Sequence, residues 1–202
     1  MHSQSIEILC VNYNTPDLIE RLLNSWVKWD YNEIPIHIID GSDNPVFAEK
    51  VKDICKIDNV KLTQRGYNVH HGNGLHFCII KSPKEFQFLM DSDSSFKKCG
   101  LFDAIDIPSN YFGIGNICKV DKDGYNVTEE GISYLHPNCC VISKEKYLKS
   151  ERLINHGAPF INTMKHMKYP IKDISELAKE YLDYGGGETV RRFGYSPCRF
   201  VR

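Results

Sequence analysis

Apolar and polar positions alternate between two periods along the first half of the chain. Ile6-Glu-Ile-Leu-Cys-Val11 is a short apolar run that stops at Asn12-Tyr13-Asn14, the pattern of a buried strand. Thr15-Pro16-Asp17 then supplies a helix start with an N-cap, a first-position proline and a first-turn acid. Behind it Leu18, Ile19, Leu22, Leu23, Trp26 and Val27 recur at helical spacing. The unit returns: Ile34 to Ile39 predicts a second strand closing on Asp40-Gly-Ser-Asp43. Asn44-Pro45 caps a helix with Phe47, Val51, Ile54 and Cys55 on one side. Val60 to Thr63 predicts a third strand and Gly74 to Ile80 a short helix. Glu85-Phe-Gln-Phe-Leu-Met90 predicts a fourth strand, ending in Asp91-Ser92-Asp93.

Alternating strands and helices predict an α/β fold with a mostly parallel sheet covered on both faces, whose ligands sit beyond the carboxyl ends of the strands. Three polar clusters fall at such ends: Asn12 to Asn14, Asp40 to Asp43, and Asp91 to Asp93.

Beyond residue 100 the character changes. Tyr111 to Val120 and Tyr125 to Thr128 flank Asp121-Lys-Asp-Gly124, a hairpin signal. Ile132 to Leu135 and Cys139 to Ser143 predict short strands, Lys144 to Ile154 a helix, and Ile171 to Leu182 an amphipathic helix. Without a repeat or linker, residues 1–202 read as a single domain, with a half of about 1–100 and a half of about 101–202.

Composition narrows the function classes. The 25 basic and 26 acidic residues give a net charge of -1, which argues against an electrostatic grip on nucleic acid or an anionic membrane. The N-terminal residues show no export signal, and no apolar stretch approaches the ~20 residues that span a bilayer, so the expectation is a cytoplasmic protein without a membrane span. None of the eight cysteines forms a C-x2-C or C-x4-C pair, which speaks against structural zinc and for small buried thiols.

Asp91-Ser92-Asp93 places two carboxylates at a strand mouth, where hard oxygen ligands could hold Mg2+ or Mn2+ against a diphosphate. A bare D-x-D more often marks a solvated turn; its strand-end position raises the metal reading. Asp40 occupies a position where a carboxylate commonly meets a base or ribose, although Asp40-Gly-Ser-Asp43 equally suits a turn. Gly66 to Gly74, rich in glycine, asparagine and histidine, could let backbone approach a ligand. It matches neither a P-loop nor G-x-G-x-x-G.

The order of these pieces resembles the nucleotide-sugar-dependent glycosyltransferases of the GT-A (Rossmann-like) fold, family 2 type: Val11-Asn-Tyr-Asn-Thr15, Asp40-Gly-Ser42, Asn68 to Gly74, then Leu89-Met-Asp-Ser-Asp93. The resemblance covers residues 5 to 100 well and the rest loosely. It implies a mostly parallel central sheet flanked by helices, with a small antiparallel hairpin in the second half. It also implies a donor site in which Asn12, Tyr13 and Asn14 line the base pocket and Asp40 meets base or ribose. Asn68, Gly72 and Asn73 would lie against the nucleotide, Asp91 against the ribose, and Asp91 with Asp93 at Mn2+ or Mg2+. The implied reaction moves a sugar from a nucleoside diphosphate donor, UDP favoured, to a glycan or other hydroxyl acceptor, with inversion.

An inverting reaction needs a general base, and the family's Glu-Asp pair some ninety residues after the D-x-D is missing. Asp173, Asp183 and Glu188 are the candidate bases, while Asp173 and Glu176 also suit a helix's first turn. Tyr181-Leu-Asp-Tyr-Gly-Gly-Gly-Glu-Thr189 stands where such proteins carry a histidine before glycines, with Asp183 or Tyr184 as substitutes. Tyr134 to Cys140 resembles an acceptor-side loop leading into a strand. His136 and His156 are therefore placed on the acceptor side, although a lone histidine is more often structural. Arg191, Arg192, Arg199 and Arg202 give the tail a basic character suited to a diphosphate. The Gln-x-x-Arg-Trp motif of processive members is missing. The competing readings are a non-catalytic nucleotide-sugar-binding module and a sugar-phosphate nucleotidyltransferase, whose glycine-rich first loop does not follow Val11.

Overall fold

The computed structural model describes residues 5–128, 130–184 and Arg192. The first half is the expected alternation: β1 (Ile6–Asn12), α1 (Pro16–Lys28), β2 (Ile36–Asp40), α2 (Pro45–Ile54), β3 (Val60–Gln64), α3 (His71–Lys81) and β4 (Phe86–Met90). Then come β5 (Ser94–Phe96), α4 (Leu101–Ala104), β6 (Gly113–Val120), β7 (Ile132–Ser143), α5 (Lys144–Leu148) and α6 (Ile161–Lys165). The last described elements are β8 (Ile171–Asp173), α7 (Ser175–Tyr181) and β9 (Leu182–Tyr184).

Seven strands form one sheet in the order β3-β2-β1-β4-β7-β6-β8, and β5 pairs with β9 in a second, two-stranded sheet. β3, β2, β1 and β4 run parallel, β7 is antiparallel to both β4 and β6, and β8 is parallel to β6. This is the mostly parallel α/β sheet that the βα alternation predicts, and it aligns the ends of β1, β2, β4 and β8 along one edge.

Strand alternation divides the core between the two faces. Ile6, Ile8 and Cys10 of β1 join Leu22 and Trp26 of α1 and Val51 of α2 on one side. Leu9 joins Leu75, Cys78 and Ile79 of α3 with Tyr134, Tyr147 and Phe160 on the other. α3 can lie this close because Gly74 has no side chain: a Cβ there would stand 2.8 Å from Val11 Cγ2. The seven cysteines among the described residues are free thiols, five of them buried.

Several boundaries differ from the periodicity. Val27 is 48% exposed, because α1 buries only the stripe through Leu18, Leu22 and Trp26. Residues 125–128 make one bridge, Asn126 to Val120, and the return strand of the hairpin is β7. β7 is continuous where two short strands are expected, carrying Pro137 through a bulge. The helix expected over 144–154 stops at Leu148, where the chain turns to bury Leu153, whose amide donates to the Tyr147 hydroxyl at 3.1 Å. The helix expected over 171–182 is split, since Ile171–Asp173 pairs with Gly113–Gly115 before α7 begins.

His37 lies fully buried in β2, with Nε2 2.9 Å from Thr63 Oγ1 and Nδ1 without a partner. Burial, with a smaller contribution from Lys61, pulls it down to about 4. The unfolded chain takes up this proton near pH 6.5 and the folded one does not, so stability falls as pH drops from 6.5 towards 4, by about 3 kcal/mol in full. The His37→Gln variant is expected to lack this loss. Denaturant midpoints at pH 7 and pH 4.5 measure it, and an equal acid sensitivity in both proteins would contradict it.

Candidate functional site

At the ends of β1 and β2 the polar residues mostly bind one another. Asn12 is fully buried; its Nδ2 donates to Asp40 Oδ1 at 2.9 Å and its Oδ1 accepts from the Thr15 hydroxyl at 2.5 Å. Thr15 therefore sits at the N-cap position of α1 without capping a helix amide. Asp40, 1% exposed, also accepts on Oδ1 from the Ser42 amide (3.1 Å) and hydroxyl (2.6 Å), and on Oδ2 from Gln64 Nε2 (3.2 Å). Both side chains join β1 to β2 at the strand ends where the sequence places the nucleotide. Asp40→Ala would leave the Asn12 and Ser42 donors buried without an acceptor, an expected loss of about 3 kcal/mol in denaturant unfolding.

Tyr13 and Asn14 are half-buried at the rim. The Tyr13 hydroxyl and Asn14 Nδ2 each donate to Asp43 at 2.7 Å, and these bonds, Asn14 first, hold the Asp43 carboxyl below its ordinary range. Asn14 has φ 55, the left-handed region that asparagine tolerates. Next to this rim, Arg65, Tyr67, Asn68, His70, Asn73 and Phe77 line a cleft of about 280 Å³. The Arg65 guanidinium lies 4.3 Å above the Phe77 ring, and Asn68 Oδ1 accepts from the His70 amide at 2.9 Å. Gly72 is accounted for by packing: a Cβ on it would stand 2.0 Å from the Ile154 carbonyl oxygen.

Asp91 and Asp93 follow β4. Asp91 is half-buried, and His71 Nε2, at the first residue of α3, stands 3.2 Å from its Oδ1. That contact lacks hydrogen-bond geometry and leaves the buried Nε2 unpartnered. Burial pulls His71 down to about 4, so the ring is neutral at pH 7. Burial, then the Asp93 carboxylate, push Asp91 up to about 6, with His136 opposing. Asp93 is 7% exposed, and α1 fixes its backbone through Arg21, whose Nη2 donates to the Asp93 carbonyl at 2.7 Å. Sequence reasoning missed both His71 and Arg21. The first had a signal, a polar residue between a candidate binding loop and an apolar helical run; the second is an ordinary exposed-face arginine until the fold brings it 72 positions along the chain.

The second half contributes unevenly. His136 sits on β7 beside Asp91, its Nδ1 accepting from the Asn138 amide at 3.2 Å. His156 is exposed in a loop, its Nδ1 accepting from the Ala158 amide at 3.0 Å, and packs near Gly124 in the Asp121–Gly124 turn. Asp173 is exposed at the end of β8, and its Oδ1 accepts from the Ser175 amide at 2.8 Å. A cleft of about 350 Å³ opens along Asp173 to Leu177. Asp183 pairs with Ser95 between β9 and β5, and strand alternation turns it away from the side that Tyr184 faces. Arg192 makes a fork with Asp17 at 2.9 and 2.7 Å, so its guanidinium is occupied at the start of α1. Glu188, Arg191, Arg199 and Arg202 lie outside the described residues.

No curated protein matches the chain in sequence. The sequence model described as glycosyl transferase family 2 matches residues 7–160, from β1 to the residue before α6. The chain belongs to glycosyl transferase family 2. The matched span holds the three strand ends, Asp91 to Asp93 and His136, and stops short of Asp173 and Asp183.

Solved structures share the fold of this family 2 chain. The mannosyltransferase PcManGT from Pyrobaculum calidifontis, in complex with GDP-Man and Mn2+, is 12% identical with a TM-score of 0.67, over 86% of this chain and 55% of its own. S. aureus TarS 1-349 in complex with UDP-GlcNAc is 17% identical with a TM-score of 0.57, over 88% and 57%. GalNAc-T7 with UDP, GalNAc and Mn2+ is 12% identical with a TM-score of 0.62, over 83% and 41%. The chain thus spans less than two thirds of the length of each. Among the described residues no helix is long and apolar enough to cross a membrane.

Proposed function

We propose that this family 2 domain moves one sugar, with inversion, from a nucleoside diphosphate donor to the hydroxyl of a glycan or other acceptor. The observation that carries the reading is the pair Asp91 and Asp93 at the end of β4, where parallel strands open beside the cleft along Arg65 to Phe77. The nucleoside is assigned to that cleft, with Tyr13, Asn14, Asn68 and Asn73 at its edge. UDP is the favoured nucleotide, since UDP or a UDP-sugar accompanies TarS and GalNAc-T7.

The residues fit a divalent ion, Mn2+ or Mg2+. Asp91 carries a carboxylate at neutral pH beside a second carboxylate whose charge opposes it, so a cation relieves both. Among the described residues no three His, Cys, Asp or Glu side chains converge to hold an ion by themselves. An ion here would be bound through one or two carboxylates, with water and substrate phosphates completing the shell. Such an ion supplies Lewis-acid neutralisation of the leaving diphosphate. Arg21 keeps the Asp93 backbone in place, and His71 and His136 flank Asp91.

For the acceptor proton the base favoured among the described residues is the Asp173 carboxylate, whose Oδ2 is open at the same sheet edge. Register sets Asp173 level with Gly115, Cys140 and Leu89, three strands or about 14 Å across from β4. Asp173→Asn is expected to lower kcat about 100-fold with the donor KM unchanged; an unaltered kcat removes the assignment. The reading itself is tested by release of UDP or GDP from a panel of nucleotide sugars with Mn2+ and an acceptor glycan mixture. Turnover that requires Mn2+ supports it. Nucleotide-sugar binding without turnover in any combination would favour the non-catalytic module.

A further inference from the structure

Past the end of β4 the pairing of β6 with β7 breaks. Gly115 faces Cys140 and Ile117 faces Leu135, so β7 residues 136–139 stand against Asn116 alone. A bulge of this kind re-aims side chains and is frequent next to active sites. Its position is fixed against the donor site: Met90 pairs with Cys139, so one further step of antiparallel register sets Asn138 beside Asp91.

The bulge gathers uncharged hydrogen-bonding groups. Asn116 Nδ2 donates to Asn138 Oδ1 at 3.3 Å, which engages one end of each carboxamide and leaves Asn116 Oδ1 and Asn138 Nδ2 open. Tyr184 on β9 reaches the same place, with the Cys139 thiol and the Asn116 amide next to its hydroxyl. That hydroxyl is buried without a partner in hydrogen-bond geometry. A buried hydroxyl left unpaired weakens the fold that holds it. Its presence beside two half-engaged carboxamides, one register step from Asp91, points to a ligand that completes the set.

We propose that Asn116, Asn138 and Tyr184 form the pocket for the donor's sugar ring and select that sugar through its hydroxyls. The inference rests on the glycosyl-transfer reading and adds which residues choose the sugar. Two carboxamides and a phenol present both donors and acceptors without charge, which matches a neutral hexose or N-acetylhexosamine. A site built to hydrogen-bond a hydroxyl rejects the epimer that misplaces it, because its own polar groups are then left unpaired.

The test is calorimetric titration of UDP, UDP-glucose, UDP-galactose, UDP-GlcNAc and UDP-GalNAc, with Mn2+, into the full chain and its Tyr184→Phe and Asn116→Ala variants. The wild type is expected to prefer one sugar over its epimer at least tenfold. Both variants are expected to lose about tenfold of that preference while binding UDP itself as the wild type does. Tyr184→Phe, which removes only the unpaired hydroxyl, is expected to melt at the same or a higher temperature. An unchanged preference in both variants, or a wild type without any preference, overturns the sugar pocket. So does a Tyr184→Phe protein that melts lower and weakens UDP and UDP-sugars alike, the mark of a structural role. A wild type that binds no nucleotide at all instead defeats the glycosyl-transfer reading on which the pocket depends.

Discussion

Asp91→Asn is expected to abolish Mn2+-dependent nucleotide binding and, in the same protein, to raise stability at neutral pH. The two effects have one cause. Asp91 is held half-buried beside Asp93, and burial and that like charge push it up to about 6 from 3.8. The folded chain holds this proton more tightly than the unfolded one between pH 3.8 and 6. The stability contribution of Asp91 is therefore present at low pH and lost as pH rises through that window. With the side chain 30% exposed, the full cost is screened to about 1–2 kcal/mol. Asparagine keeps the shape and drops the charge. Denaturant midpoints in the presence of chelator should show the variant gaining on the wild type between pH 4 and pH 7. A residue placed for structure alone would lose stability when replaced, so a destabilised Asp91→Asn protein that still binds nucleotide would contradict the site.

Gly72→Ala is expected to cost more than 3 kcal/mol, a fall in Tm of about 6–12 °C for a chain of this size. A Cβ at residue 72 would lie 2.0 Å from the Ile154 carbonyl oxygen, 2.8 Å from its carbon and 3.1 Å from Pro159 Cβ. Two of those atoms are backbone in the segment between α5 and α6, whose Leu153 is anchored in the core. Relief requires that segment to leave α3, uncovering the face that holds Tyr147 and Phe160. Asn73→Ala, one position on and exposed, is expected to stay within 0.5 kcal/mol of the wild type, as surface substitutions do. Thermal melts of the two variants check the contrast. A Gly72→Ala protein melting within 2 °C of the wild type would show that the approach of this loop to α3 is not tight.

The first half of the fold was legible because β1, β2 and β4 end in polar clusters and α1 and α2 begin with recognisable punctuation, whereas α3 starts at His71, three residues before the expected Gly74, behind a His70 whose side chain caps nothing. Asn44 caps α2 through the Val46 amide at 2.9 Å, as its place before Pro45 predicts. The second half was less legible because its helices are short and its strands are decided by pairing. Ile171–Asp173 carries the apolar spacing of the helix that follows it, yet becomes strand because Gly113–Gly115 offers an open edge. His136 to Asn138 reads as a break between strands, whereas the ladder closes over it as a bulge. At the site, Asp91 and Asp93 were evident from position. That Asn12 and Asp40 bind each other was not legible, since sequence does not reveal which strand ends lie side by side. Tyr184 stood out in the sequence only as an alternative to Asp183, and the unpaired hydroxyl that distinguishes it follows from β9 lying against β5.

Calorimetric titration of UDP and of GDP, with Mn2+ and with chelator, into the wild type and Asp91→Asn decides whether the end of β4 is a metal-dependent nucleotide site. Saturable binding of UDP that needs Mn2+ and vanishes in Asp91→Asn, with the variant folded, is the expected result. UDP or GDP binding that is indifferent to both Mn2+ and Asp91, or no binding of either nucleotide by the wild type, would contradict it.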